Sequence, residues 1–322
     1  ALYTADTAQG NAAVGYYALY NTTGGQNTAV GYQALYNNTA GISNAAFGYN
    51  ALRANTTGAS NVAIGYNTLT NNTIGSYNTA IGWQALYSQV GNATNNALGY
   101  QSLYSNTTGQ QNTGIGSRAL YSNTTGTENT ALGHFALSSS SSNFNTAIGS
   151  DALRNNTGIQ NTAVGRRAAY NNTTGINNTV MGITAYQNAT IGSYNVAIGS
   201  SSMDGAAVTG DFNTAVGQGS LRYVTSGAYN VALGNRALYN NTTGHSNIAV
   251  GPSALENNTT GYYNIGIGSY AVDATTFGIQ NIGIGYRTLH ANTTNSDNVA
   301  IGYYALGNST ASNLVAIGSY VL

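Results

Sequence analysis

A glycine preceded by a large apolar residue, itself usually preceded by Ala, recurs at Gly15, Gly31, Gly48, Gly65, Gly82, Gly99 and onward to Gly318, always 16 to 18 residues apart. There are 19 such markers in 322 residues, and no linker or shift in composition interrupts them. A unit of about 17 residues cannot fold alone. Ordering its backbone costs about 1–2 kcal/mol per residue, whereas one buried Ile and one buried Leu return roughly 3–6 kcal/mol. The units must therefore stack, each coil covering the last, as repeat proteins do.

The slots around the marker specify what stacks. Asn stands four residues before it in 18 of 19 copies, with Leu314 the exception; Leu stands four residues after it in 15 copies. "T-A-V-G" alternates large and small side chains with the period of two that a strand imposes. Helix is disfavoured by glycine in every unit and by a vocabulary rich in Thr, Tyr and β-branched residues. The fold class read from this pattern is all-β: a parallel β-solenoid, or β-roll, of about 19 coils in one repeat domain, residues 1–322. Each coil is read as two short strands, "NTAVGY" and "QALY", joined by an "NNTTG" turn whose Asn and Gly tolerate left-handed backbone. At about 4.8 Å per coil, the stack would be about 90 Å long.

Two kinds of column follow from stacking. The apolar slots are expected to fuse into core columns, Ile64, Ile81, Leu98 and Ile115 on one side and Leu69, Leu86 and Leu103 on the other. Alternation then sends Ala63, Gly65, Ala34, Ala85 and Ala119 outward, as a small-residue face fit for close packing against another chain, unless a narrow interior claims those small residues. Asn27, Asn44, Asn61, Asn78, Asn95 and Asn112 are expected to form an amide ladder at a corner, each donating and accepting along the stack.

Composition closes several classes. Charged residues are 5% of the chain, eight basic against eight acidic, so nothing draws it to nucleic acid or to anionic lipid. Apolar runs are two or three residues long, too short for membrane insertion. Cysteine is absent and there is one proline, Pro252. His134, His245 and His290 occupy different slots of the repeat, and Asp151, Arg154, Asp204 and Asp211 are scattered over surface slots. No catalytic, cofactor-binding or metal site is read from them, and no enzyme.

The commonest chemical motif is N-x-[S/T], a possible glycosylation signal, mostly in the turn: Asn21, Asn37, Asn55, Asn71, Asn92, Asn106, Asn123, Asn155, Asn171, Asn188, Asn240, Asn241, Asn257, Asn258, Asn292 and Asn308. Asn and Thr are also simply good turn residues. Tyrosine is in excess, 26 residues, many directly after the marker or after Leu, as Tyr32, Tyr36, Tyr66, Tyr87, Tyr100 and Tyr104. In register these make aromatic ladders, either packing between coils or offering a surface to sugars or another rod.

The phrase "N-T-A-I-G-x-x-A-L" resembles the "N-x-A-I-G" repeats in the heads of trimeric autotransporter adhesins, and related repeats of phage tail fibres and bacterial surface proteins. The resemblance spans Asn11 to Leu322 and implies a left-handed parallel β-roll, association of three chains and binding to host or matrix surfaces. The unit here is longer by about one corner, and no coiled-coil stalk or membrane anchor accompanies it. The chain opens in mid-repeat at "ALY" and stops on the Leu slot at Leu322, without polar caps, as expected of a window of a longer repeat protein or of a subunit that stacks end to end. The expected role is a structural subunit or segment of an extracellular or cell-surface fibre whose partners are copies of itself. Alternatives are an adhesin-like or tail-fibre-like module that binds glycans and, more weakly, an ice-binding protein.

Overall fold

The computed structural model describes residues 9–91 and 93–322. Asn92 and the opening Ala1–Tyr3 lie outside the described residues. The chain divides into two compact units, Ala1–Thr157 and Gly158–Leu322, each a stack of the same coil. Among the described residues the first unit holds nine three-residue strands, from Ala12–Val14 to Thr146–Ile148, and the second holds ten, from Thr162–Val164 to Val315–Ile317.

Within each unit every strand pairs in parallel with its equivalent one coil on. Val62, Ala63 and Ile64 face Thr79, Ala80 and Ile81, which in turn face Asn96, Ala97 and Leu98. The chain is thus an all-β parallel solenoid with a 17-residue coil, as the repeat predicts. The ladder does not end with the strand. Gln33 N–H donates to Tyr16 O at 2.9 Å, Leu35 to Ala51 O at 3.0 Å, Asn37 to Arg53 O at 3.1 Å and Thr39 to Thr56 O at 3.0 Å, so most of the coil is hydrogen-bonded to a neighbouring coil. Backbone groups that a short strand would leave unpaired are satisfied in this way.

The second expected strand, "QALY", is not one. It is a run of turns in which the residues two and four after the marker are left-handed, as at Gln33 (φ 54°) and Leu35 (φ 51°). Extended backbone would send Ala34 and Leu35 to opposite faces; the left-handed steps instead bring both inside, and both are 0% exposed. A left-handed non-glycine residue costs roughly 1 kcal/mol or more. Each coil sustains these residues because stacking over-determines them.

The marker glycine has φ between 124° and 143° in both units, and there is no room for a side chain. A Cβ on Gly65 would stand 2.5 Å from the carbonyl oxygen of Gly82 in the next coil. Glycine is therefore required both by conformation and by the closeness of adjoining coils.

The orientation of the strand reverses the expected one. Leu69, Leu86 and Leu103 are fully buried, but Ile64, Leu98 and Ile115, expected in the core, are exposed, Ile64 at 39%; Ile81 is half-buried. Ala63, Ala34, Ala85 and Ala119, expected outside, are each 0% exposed. The inside of the coil is narrow. The Leu column and two columns of amides already occupy it, and what remains opposite the Leu has room for Ala and not for Ile. Ile64, Ile81 and Leu98 do form a register-perfect column, on the outer face.

Candidate functional site

Two amide columns run through the interior of each unit. In the column at the strand start, Asn44 accepts through Oδ1 from the backbone N–H of Asn61 at 3.0 Å and from its Nδ2 at 3.1 Å, while Asn44 Nδ2 donates to Gly58 O at 2.9 Å. Asn27, Asn78, Asn95 and Asn112 repeat the arrangement, with Oδ1 accepting from the next coil's Asn N–H at 2.9–3.0 Å. These side chains are buried. The ladder is as expected from the sequence, but it ties a backbone donor as well as an amide.

The second column stands seven residues after the marker: Asn38, Asn55, Asn72, Asn106, Asn123, Asn156, Asn172, Asn241, Asn258 and Asn292. Asn55 Nδ2 donates to Asn38 Oδ1 at 2.7 Å and to Gly58 O at 2.9 Å. Six of the candidate glycosylation positions, Asn55, Asn106, Asn123, Asn241, Asn258 and Asn292, belong to this buried column. Their amides are engaged inside the coil, so no glycan fits there in the folded protein. Asn21, Asn37, Asn71 and Asn171 are partly exposed. The signal for a second column was present in the period, hidden because N-N-T-T reads equally well as a run of acceptor motifs.

The outer surface is also arranged in rows. In the first unit the residue after the marker builds a ladder of stacked rings: Tyr16, Tyr32, Tyr49, Tyr66, Trp83 and Tyr100, with centroids 5.0–6.0 Å apart and planes within 12°. Tyr87, Tyr104 and Tyr121 form another at 5.3 Å spacing. In the second unit the stack Tyr194, Phe212 and Tyr229 occupies a different slot. The tyrosines thus pack between coils. The second unit also carries an open groove of about 690 Å³ over the turn, lined by Thr225, Thr242, Thr259, Thr276, Asn240 and Asn257 among others. Its Thr hydroxyls donate to carbonyls of the next coil, as Thr242 to Thr259 O at 3.1 Å.

Ionisable groups are scattered. Among the described residues no group of three or more His, Asp or Glu side chains is placed to hold a metal ion. His134 packs on Phe135, His245 stacks on Tyr262, and His290 Nδ1 lies 2.6 Å from Asp273 Oδ1, a carboxyl that burial pushes up and His290 pulls back. Asp151 pairs with Arg154 at 2.8 Å. Asp211 Oδ1 accepts from Ser193 N–H at 2.7 Å, whereas Asp204 is pushed up to about 6 by burial, opposed by Arg222. Among the described residues no helix is long and apolar enough to cross a membrane.

No protein-family model matches the chain, and no curated protein matches it.

Proposed function

We propose that the protein is a structural component of an extracellular or cell-surface fibre, working by rigidity and by association with copies of itself. The observation that carries this reading is the outward column before the marker. In the first unit it is Val14, Val30, Phe47, Ile64, Ile81, Leu98, Ile115, Leu132 and Ile148, a large apolar residue in every coil, without an interrupting charge. Over six of these coils the aromatic column lies two residues away, each ring two-fifths or more exposed. At about 200 Å² per ring, those rings alone offer roughly 500 Å², more than half of the ~800 Å² per partner in a stable contact. Monomers seldom leave so large an apolar surface in water. The partner surface in this reading is the aliphatic face, and not the small-residue face, which is buried in the coil.

The repeat's resemblance to adhesin heads and tail-fibre segments supports the same reading. A glycan-binding role draws support from the Thr- and Asn-lined groove of the second unit, but not from the tyrosines, whose stacked rings cover the faces that a sugar would use. Ice binding loses support because the Thr hydroxyls of the turn are committed to protein carbonyls.

Sedimentation and electron microscopy test the proposal. The protein should form laterally associated assemblies, and Ile64→Lys with Leu98→Lys should disperse them without loss of folding. A stable monomer across the accessible concentration range overturns the reading.

A further inference from the structure

The residue two after the marker is left-handed in coil after coil of both units and carries a substantial side chain: Gln33, Asn50, Gln84, Gln101, Arg118, Arg167, Arg236 and Arg287 among others. In the second unit one coil has glycine there, Gly219 (φ 63°), and the coil before it has only Ser201. The missing side chain leaves a pocket of about 320 Å³ in an otherwise filled column. A Cβ on Gly219 would come within 3.1 Å of the Tyr239 ring, which forms one wall.

The walls are chemically unusual for this chain. Two of its eight basic residues, Arg222 and Arg236, line the gap together with the amides of Gln218 and Asn235. Arg222 Nη1 donates to the neutral Tyr239 Oη at 3.2 Å. Among the described residues no carboxylate lies within salt-bridge distance of Arg222, whereas Arg236 pairs with Glu256 and stacks 4.4 Å from the Tyr239 ring. The Gln218 and Asn235 side chains meet each other only at 3.4 Å, a weak contact that a better partner replaces at little cost. A guanidinium fork that feels Asp204 only at a distance and has no carboxylate in contact is matched by a carboxylate ligand, bound through two parallel N–H donors. The amides and the Ser201 hydroxyl suit hydroxyl groups, which both donate and accept. A volume near the lower end of ligand pockets, about 300–1,000 Å³, fits one sugar ring.

We propose that the gap at Gly219 binds a hexuronate, a sugar ring bearing one carboxylate, either free or as one unit of an acidic polysaccharide.

Calorimetry and ligand-observed NMR on the full chain test this with D-glucuronate, D-galacturonate, a galacturonate oligomer and D-glucose. The expected result is saturable binding of a uronate at one site per chain, and none of glucose. Arg222→Gln should weaken binding at least tenfold. Gly219→Gln should abolish it with the fold retained, as circular dichroism checks, because Gln33, Gln84 and Gln101 occupy this slot with the same left-handed backbone (φ 52–54°) and the Tyr239 ring need shift by only a few tenths of an ångström. A far tighter oligomer identifies the polysaccharide as the source, and equal affinity per ring identifies the free sugar. No saturable uronate binding, equal binding of glucose, or undiminished binding by Gly219→Gln overturns the proposal. So does loss of self-association in Gly219→Gln without any uronate binding by the wild type, which would assign the pocket to an acidic side chain of another copy.

Discussion

The two amide columns contain the same residue, lie in the same interior and make hydrogen bonds of the same length, yet one is almost invariant and the other is interrupted. At the strand start, Oδ1 satisfies the buried backbone N–H of the next coil's Asn, a donor with no other partner. In the turn column, Nδ2 adds a second donor to a Gly carbonyl that the first column already serves: Gly58 O accepts from Asn44 and from Asn55, both at 2.9 Å. Loss of the first kind of Asn orphans a main-chain group. Loss of the second leaves a Gly carbonyl with one bond in place of two and takes the donor from the Oδ1 of the Asn one coil earlier, a smaller cost because a buried acceptor is left under-satisfied more readily than a buried N–H.

The interruptions bear this out. Where Gln89, Ser140 and Thr275 replace Asn, the Oδ1 atoms of Asn72, Asn123 and Asn258 one coil earlier lack a donor, because each newcomer turns its polar group elsewhere; Thr275 Oγ1, for instance, donates to Asn292 O at 3.0 Å. In three successive coils of the second unit the position is filled by Ala189, by Val208, which stands nine residues after its marker in a longer coil, and by Val224, all fully buried. There Gly210 O and Gly227 O keep their bonds from Asn195 and Asn213 of the strand-start column, each at 2.9 Å. Gly192 O gains a hydroxyl: Tyr186, standing in a Leu slot, donates to it at 3.0 Å and accepts from Asn195 Nδ2 at 2.7 Å.

Five substitutions probe the difference. Asn61→Ala orphans the Asn78 N–H (3.0 Å) and takes one of two donors from Gly75 O (2.8 Å), which Asn72 still serves at 3.0 Å, so unfolding in denaturant should show a loss of about 2–4 kcal/mol, roughly 1–3 for the orphaned group and about 1 for the lost bond. Asn55→Ala, in the turn column, should cost only about 1–2 kcal/mol; equal losses at the two positions would break the comparison. Tyr186→Leu should cost about 1 kcal/mol, and adding Ala189→Asn should recover most of it, a coupling that a double-mutant cycle measures. The smallest effect concerns Asp204, in the coil where Val208 has made the turn column apolar. Its carboxyl is raised from 3.8 to about 6, so between those values the folded state binds more protons than the unfolded state and stability falls as pH rises. Asp204→Asn should therefore stabilise the protein at pH 7 by no more than about 1 kcal/mol once solvent screening of this half-exposed group is allowed for. The gain should vanish below the unfolded value, as thermal melts at the two pH values would register.

Much of the fold is legible in the residues because a ladder needs identical groups at a fixed interval, and the interval is written 19 times. The strand-start Asn, the buried Leu and the parallel register all follow from it. The gap at Gly219 was equally visible as one glycine in a slot of side chains, but its arginine walls come from slots five residues after one marker and two after the next, which only the coil brings together.

What the sequence determined by itself is the period and the contents of each column. Which way the strand faces was left to the tertiary structure, because alternation with a period of two is satisfied equally by Ile inside with Ala outside and by the reverse. The choice was made across the coil, by the Leu column and two rows of amides that leave space opposite them for little more than a methyl group, Val180 being the one larger occupant.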